Sequence, residues 1–126
     1  MQDIKMMSPS TLAFMGDAVY GLLVREKLCG VNRPSGELHS MSVKYVSATA
    51  QDEAFSLICE LLSEDEMSVF KRGRNFHTSN TPKSSSAKQY HTATGLETLF
   101  GYLYLTGKNE RLRELFDVIW NNKNQG

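Results

Sequence analysis

Residues 11–24 read TLAFMGDAVYGLLV, and this stretch decides the fold. Ser8 can cap a helix that starts here, proline suits its first turn, and a glycine follows its last turn. The sequence therefore predicts a helix from about Pro9 to Leu28. Asp17 is the only charged residue within the quoted stretch, and apolar side chains surround it on the helix. A helix that is apolar almost all round is normally buried, so Asp17 is expected inside the protein.

A second stretch repeats this pattern towards the other end of the chain. From Thr92 to Thr106, Glu97 is the only charged residue among leucine, phenylalanine and tyrosine side chains. A buried carboxylate must be paired, bind a metal ion or become protonated, and neither helix supplies a cation within one turn of its acid. Mg²⁺ binds one or two carboxylates and keeps several waters, so a shared Mg²⁺ would let the acids meet. Three nearby glycines would allow close approach of backbones or a ligand: Gly16, Gly21 and Gly101.

The alternative to a metal site is structural. Each acid could face solvent at a helix edge, or accept hydrogen bonds from Ser, Thr or Tyr side chains. The sequence does not show whether the two helices meet, so both interpretations stay open at this point.

The rest of the chain also has helical patterns. A second helix is predicted from Pro34 or Ser35 to Leu62, with room for a break between Met41 and Val43. A third follows a capping box at Ser63 and runs to about Asn75, and a fourth and fifth span about Ser86–Thr106 and Asn109–Asn121. One face of the second helix carries Val46, Ala50, Ala54, Leu57, Ile58 and Leu61.

No segment alternates as a strand does, so the sequence predicts a single all-α domain over residues 1–126. The stretch Phe76 to Ala87 is rich in Ser, Thr, Asn and Pro and is predicted as a long loop. Such loops inside a compact domain are often functional.

Charge is balanced overall but unevenly distributed. The chain has 14 basic and 14 acidic residues, yet Lys71 to His91 holds five basic side chains and no acid. One basic segment on a neutral protein can form an anion-binding face. Met1 to Met7 contains no long apolar run, so neither a signal peptide nor a membrane span is expected. Cys29 and Cys59 are expected to be reduced, buried thiols of a cytoplasmic protein.

The two acidic helices resemble motifs of the ribonuclease III family. Leu12 to Val19 (LAFMGDAV) is similar to the signature helix of that family, and Thr94 to Leu105 (TGLETLFGYLYL) is similar to its second acidic motif. The basic run Lys71 to Asn75 and the tripeptide Thr81-Pro82-Lys83 resemble its short branch, mini-ribonuclease III. The resemblance covers nearly the whole chain in order. As in the short branch, no double-stranded-RNA-binding domain is expected.

Two positions depart from the long members of the family. Ala13 stands where they have a glutamate, and Thr94 stands where they have an aspartate; the short branch also lacks both acids. The resemblance implies hydrolysis of duplex RNA with Mg²⁺, or Mn²⁺ as a substitute, held by Asp17 and Glu97 as catalytic and metal-binding residues. Thr94 is a candidate for orienting a metal-bound water.

The resemblance also implies partners. Phosphate contacts are expected from six residues of the segment between Lys71 and His91. Lys44 and Ser47 of the second helix are weaker candidates. A two-fold homodimer would cut both strands of a duplex, and precursors of large-subunit (23S-type) ribosomal RNA are the expected substrate. The predicted RNA-binding residues are Lys71, Arg72, Arg74, Asn75, Lys83 and Lys88.

Other classes of protein remain as alternatives. A non-catalytic RNA-binding or ribosome-assembly factor with this fold would explain the missing acids at Ala13 and Thr94, but not the retention of Asp17 and Glu97. A helical metal phosphohydrolase acting on nucleotides usually needs a His-Asp doublet, which the chain lacks. A plain helical interaction module would leave the placement of the two acids unexplained.

Overall fold

The computed structural model describes residues 3–76 and 86–124. Within these ranges the chain forms helices and turns and no strand, which confirms the all-α prediction. Two short 3₁₀ segments, Ile4–Met6 and Cys59–Leu61, accompany the α-helices. The helices are α1 (Pro9–Cys29), α2 (Ser35–Val46), α3 (Ala48–Ile58), α4 (Glu64–Arg74), α5 (Ala87–Leu105) and α6 (Asn109–Lys123).

Serine caps begin most of the predicted helices. The Ser8 hydroxyl oxygen accepts a hydrogen bond from the backbone N–H of Thr11 at the start of α1. Ser63 and Ser86 each form a complete capping box, the first with Glu66 and the second with a glutamine. These side chains satisfy backbone N–H groups that a helix leaves unpaired. Four of the five predicted helices are confirmed to within about two residues, as α1, α4, α5 and α6.

The prediction of a second helix from Pro34 or Ser35 to Leu62 is wrong, because the structure has two helices there. The segment is divided at Ser47, not between Met41 and Val43, because Ser47 has an extended backbone and its hydroxyl caps the next helix at Ala50. The predicted apolar face is also incomplete, since Leu57 and Leu61 are exposed. The chain tightens to 3₁₀ geometry after α3, which shifts the direction of successive side chains.

Helix α5 lies at the centre of the molecule. It packs against α1, α3, α4 and α6, and ten of its residues are buried, as its apolar pattern predicts. Tyr20 of α1 contacts both Phe100 of α5 and Phe116 of α6 through its ring, at centroid distances of 5.3 and 5.5 Å. The core therefore joins the helix that carries Asp17 directly to the helix that carries Glu97.

Helix α1 is not buried all round, contrary to the prediction. Leu12, Val19 and Leu23 face the core, whereas Phe14 and Leu22 are exposed. Asp17 is also exposed. The apolar pattern alone does not separate a helix buried in a core from one whose second face awaits a partner.

The cysteine prediction holds in part. Both thiols are free, but Cys29 is exposed at the end of α1 and Cys59 is half-buried. Burial was expected because each lies in a helical pattern, yet Cys29 lies on the open side of α1. In the part of the chain that the structure describes, no helix is both long and apolar enough to cross a membrane. Residues 77–85, which make up most of the predicted loop from Phe76 to Ala87, lie outside the described residues.

Candidate active site

The two acidic helices meet at glycines. A Cβ atom on Gly16 would collide with the backbone carbonyl of Glu97, and one on Gly101 would collide with the carbonyl of Leu12. Only glycine permits helix backbones to approach this closely. Close approach of a backbone is confirmed at Gly16 and Gly101, whereas a Cβ at Gly21 would meet no described atom within 4 Å.

This crossing brings Asp17 and Glu97 together. Their carboxyl groups are close enough to share a hydrogen bond, although Asp17 is exposed and Glu97 is half-buried. Burial raises the pKa of the Glu97 carboxyl to about 8, and the negative charge of Asp17 adds to the shift. Two carboxylates in contact repel each other unless a proton or a cation lies between them.

Two further side chains border the acid pair. The amide nitrogen Nε2 of Gln51 on α3 lies 3.5 Å from Oε2 of Glu97 and lowers the pKa of that carboxyl, against the effects of burial and Asp17. Tyr20 lies one turn beyond Asp17 on α1; burial raises the pKa of its phenol, and the charge of Glu97 adds to the effect. Tyr20 therefore stays neutral, with its ring in the core against Phe100 and Phe116.

The acid pair fits a hard divalent cation. Within residues 3–76 and 86–124, no cluster of three or more His, Cys, Asp and Glu side chains surrounds the pair. Mg²⁺ needs no more than one or two carboxylates, because waters and substrate phosphate oxygens complete its shell. A cation would also relieve the repulsion between Asp17 and Glu97, which the structure otherwise leaves to a shared proton.

Three predicted RNA-binding residues border one open groove. Arg74, Asn75 and Lys88 lie around a groove of about 640 Å³ between α3, α4 and the start of α5. The Arg74 guanidinium lies 5.8 Å from the centre of the Phe70 ring, and its Nε donates to Oδ1 of Asn75 at 3.2 Å. The ring and the amide hold this cation in place at the end of α4.

Lys71 and Arg72 are adjacent in sequence but differ in their surroundings. Lys71 is exposed on α4. The Arg72 guanidinium donates to the backbone carbonyls of Lys5 and Met7, at 2.9 and 2.8 Å. Arg72 therefore holds the segment that leads into α1, and two of its nitrogens are already engaged.

Thr94 and Ser47 already use their hydroxyl groups within the helices. Thr94, one turn before Glu97, donates its hydroxyl to the Tyr90 carbonyl at 3.0 Å, so only its oxygen lone pairs are free to accept. Ser47 uses its hydroxyl oxygen to cap α3. Lys44 is exposed near the end of α2, and Lys83 lies outside the described residues.

Sequence reasoning missed Gln51. It is a buried amide, only 1 % exposed, between alanines that were assigned to the apolar face of the second helix. A lone polar residue beside such a face is a usable signal, because buried polar groups need partners. Its partner lies on another helix, which the sequence does not reveal.

The chain matches the family model described as the ribonuclease III domain over residues 10–108. A Thermoanaerobacter protein named mini-ribonuclease 3 is 47% identical over 113 residues, which cover 89% of this chain and 80% of the relative. Proteins of the same name from Clostridium tetani and Streptococcus pneumoniae are 40% and 39% identical, each over 95% of this chain, and the matches cover 81% and 94% of those proteins.

A solved structure has the same fold. The crystal structure of a protein from Fusobacterium nucleatum superposes with a TM-score of 0.88 at 28% sequence identity. The match covers 98% of this chain and 99% of that protein. The helix arrangement that joins the two acidic motifs is therefore shared by a solved structure.

Proposed function

This chain belongs to the ribonuclease III family, and from that premise we propose that it cuts duplex RNA with a divalent metal ion held by Asp17 and Glu97. It is an endoribonuclease, a hydrolase of the phosphodiester bonds of double-stranded RNA. One observation carries the proposed site: two acids from helices far apart in sequence meet at a glycine crossing, where the charge of Asp17 helps to raise the pKa of Glu97.

The reaction is the addition of water across a phosphodiester bond. Bound Mg²⁺, or Mn²⁺ in its place, lowers the pKa of water and neutralises charge on the phosphoryl oxygens. Asp17 faces solvent, where the phosphate of an RNA strand can approach, and Asp17 and the half-buried Glu97 would together hold the ion. Glu97 must release its proton before it can bind the ion, because a protonated carboxyl is a poor ligand.

Binding of the duplex would rest on shape and phosphate contacts. Duplex RNA is recognised mostly through its backbone and 2′-hydroxyls. We assign phosphate contacts to Lys71, Arg74, Asn75 and Lys88, which lie at the end of α4 and the start of α5. Lys83, which lies outside the described residues, remains a further candidate for a phosphate contact. Arg72 contributes by holding the N-terminal segment against α4.

A homodimer would place two such sites on one duplex. The exposed face of α1 carries Phe14, Ala18 and Leu22 at successive turns, with Phe14 83% and Leu22 51% exposed. Exposed apolar side chains grouped in this way are typical of protein interfaces. Since Asp17 lies one turn from Phe14, a second copy seated on this face would bring its own acid pair close to the first.

The substrate and location follow from the short branch that the chain resembles. We propose that residues 1–126 act as one catalytic domain, in the cytoplasm, on precursors of large-subunit (23S-type) ribosomal RNA. Deletion of the gene should then cause a longer precursor of this RNA to accumulate, and the purified protein should trim that precursor. Normal precursor levels after deletion would exclude this role without affecting duplex cleavage.

The proposed site is tested by cleavage of a labelled RNA duplex in Mg²⁺. Asp17→Asn and Glu97→Gln should bind the duplex as tightly as wild type and cut it at least about 100-fold more slowly, because each removes a charged metal ligand. Glu110→Gln, which changes an exposed acid at the start of α6, is the matched control and should cut normally.

Single-stranded RNA and EDTA complete the experiment, and wild type should cut in neither control. If wild type binds duplex RNA without cutting it in Mg²⁺ or Mn²⁺, the chain is a non-catalytic RNA-binding protein. If either variant cuts as fast as wild type, the assignment of that acid is wrong.

A further inference from the structure

Gln51 is an anomaly in the core of this protein. Its side chain is 1% exposed, and its Oε1 is buried with no hydrogen-bond donor among the described residues. A buried acceptor without a partner destabilises a folded protein. Such a group is retained in a stable fold when it serves a site, because natural proteins break packing rules mainly where function requires it.

Two acceptors determine how the amide of Gln51 lies. Its Nε2 is 3.5 Å from Oε2 of Glu97 and 3.4 Å from the backbone carbonyl of Val46. The opposite orientation would point Oε1 at the backbone carbonyl of Val46, which can only accept a hydrogen bond. The amide nitrogen therefore faces Glu97, and the unpaired oxygen is the consequence.

The break between α2 and α3 puts Gln51 in this position. Ser47 caps α3, and the backbone N–H of Gln51 donates to the Ser47 carbonyl at 2.9 Å in the first turn. Val46, whose carbonyl receives the side chain, ends α2. Gln51 is thus tied to the helix junction on one side and to Glu97 on the other.

We propose that Gln51 is a positioning residue, whose amide holds the Glu97 carboxylate in the orientation that receives the divalent ion. The role rests on the proposed metal-dependent activity and deepens it. Groups that hydrogen-bond to a metal ligand fix its rotamer, and their loss weakens metal binding even though they never touch the ion. Gln51 supplies this contact from a third helix, beyond the two that carry the acids.

The test measures thermal unfolding in EDTA and at increasing Mg²⁺, without RNA. Gln51→Met keeps the length of the side chain and removes both polar atoms. Because the unpaired oxygen is removed, its Tm in EDTA should equal or exceed that of wild type. The Mg²⁺ needed for a given rise in Tm should increase about tenfold or more. Thr49→Ala, at an exposed position in the same turn of α3, should match wild type in both measurements.

Cleavage gives a second reading of the same role. The Mg²⁺ concentration for half-maximal cleavage by Gln51→Met should rise by a similar factor, and kcat at saturating Mg²⁺ should recover towards that of wild type. If Gln51→Met does not fold, Gln51→Asn gives the same comparison, since its shorter side chain keeps the amide but withdraws it from Glu97.

The possible results separate the two claims. A Mg²⁺ response of Gln51→Met that superposes on wild type, or a lower Tm in EDTA with an unchanged Mg²⁺ response, would overturn the positioning role. If the Tm of wild type itself ignores Mg²⁺ and the duplex stays uncut, the proposed function fails, and the role of Gln51 fails with it.

Discussion

At the scale of single residues, Glu97 is the described acid whose pKa the fold shifts furthest. Its carboxyl is half-buried, beside a second carboxylate on α1 and the amide of Gln51 on α3. In the absence of metal, burial and the charge of Asp17 raise the pKa of Glu97 to about 8. The folded protein therefore keeps a proton here at pH values where an unfolded chain has lost it.

This proton makes stability depend on pH. An acid with a raised pKa in the folded state stabilises fully below its unfolded pKa near 4.5 and loses that contribution as pH rises through about 8. In EDTA, the Tm of wild type should fall by at least about 5 °C between these values and level off above them. Metal affinity should change the opposite way and increase with pH up to about 8, since the ion must displace the proton.

Calorimetry of Glu97→Gln over the same pH range provides the comparison. The amide does not titrate, so the difference between the two curves isolates Glu97 from the histidines. Parallel curves for the two proteins would mean that Glu97 is ionised at neutral pH without metal.

Lys71 and Arg72 make a second prediction at this scale, because neighbours in sequence have different partners. Lys71→Ala should leave Tm unchanged and reduce the slope of log affinity for duplex RNA against log salt by about one, as expected for one lost phosphate contact. Arg72→Ala should lower stability by about 1–2 kcal/mol, because two backbone carbonyls lose a charged donor. Binding titrations at several salt concentrations, together with Tm, check both. If both variants reduce the salt dependence of binding equally, Arg72 also contacts an RNA phosphate.

At the scale of helices, the crossing of α1 and α5 determines whether there is a site at all. Gly16 and Gly101 remove the side chains that would keep the two backbones apart. The same device recurs between α4 and α5, where a Cβ on Gly73 would collide with Thr98. Helix α5 is thus held closely to α1, which carries Asp17, and to α4, whose last turn is basic.

Gly16→Ala tests the crossing. The added methyl group would push against the backbone of Glu97, which has no flexible end to move, so stability should fall by about 3 kcal/mol. Cleavage should fall as well at temperatures where the variant is folded, because Asp17 and Glu97 would separate. Unfolding in urea and the duplex assay measure the two effects.

Gly21→Ala is the matched control in the same helix. A Cβ there meets nothing within 4 Å, and alanine is the better helix former, so stability should rise by about 0.5–1 kcal/mol. Should both variants behave alike, the close approach at Gly16 would not be what holds the acids together.

At the scale of the whole molecule, one face is left without a partner. The core uses one side of α1 and leaves Phe14 and Leu22 in solvent, next to the exposed Asp17. A duplex presents two antiparallel strands, and a two-fold dimer presents two equivalent sites. The exposed apolar face of α1, which lies beside the acid pair, therefore favours a two-fold dimer, and a duplex substrate favours the same assembly.

Light scattering after gel filtration tests this assembly. Wild type should have twice the chain mass of 14.2 kDa, and Phe14→Ser should shift the population to the monomer by removing the largest exposed apolar contact. Met6→Ser, a loss of apolar surface at a residue 79% exposed outside α1, is the control and should stay dimeric. A monomeric wild type at micromolar concentration, or a dimeric Phe14→Ser, would contradict the use of this face.

Local sequence signals were enough to predict four of the helices and to identify the two acids. Serine caps, capping boxes and apolar periodicity are local signals, and they located α1, α4, α5 and α6 because the backbone satisfies most of its hydrogen bonds within a helix. Asp17 and Glu97 were also identified from local information, because each is an isolated charge in an apolar stretch of sequence.

The contacts that these residues make with one another depend on how the helices pack. The tertiary structure placed Asp17 against Glu97, left one face of α1 open, engaged Arg72 with the N-terminal segment and brought Gln51 to the acid pair from a third helix. Each of these depends on contacts between residues distant in sequence, and periodicity carries no information about which helix a given face will meet. The close approach at Gly16 was predicted from residue type, but its partner became known only when the backbones of α1 and α5 were seen to touch.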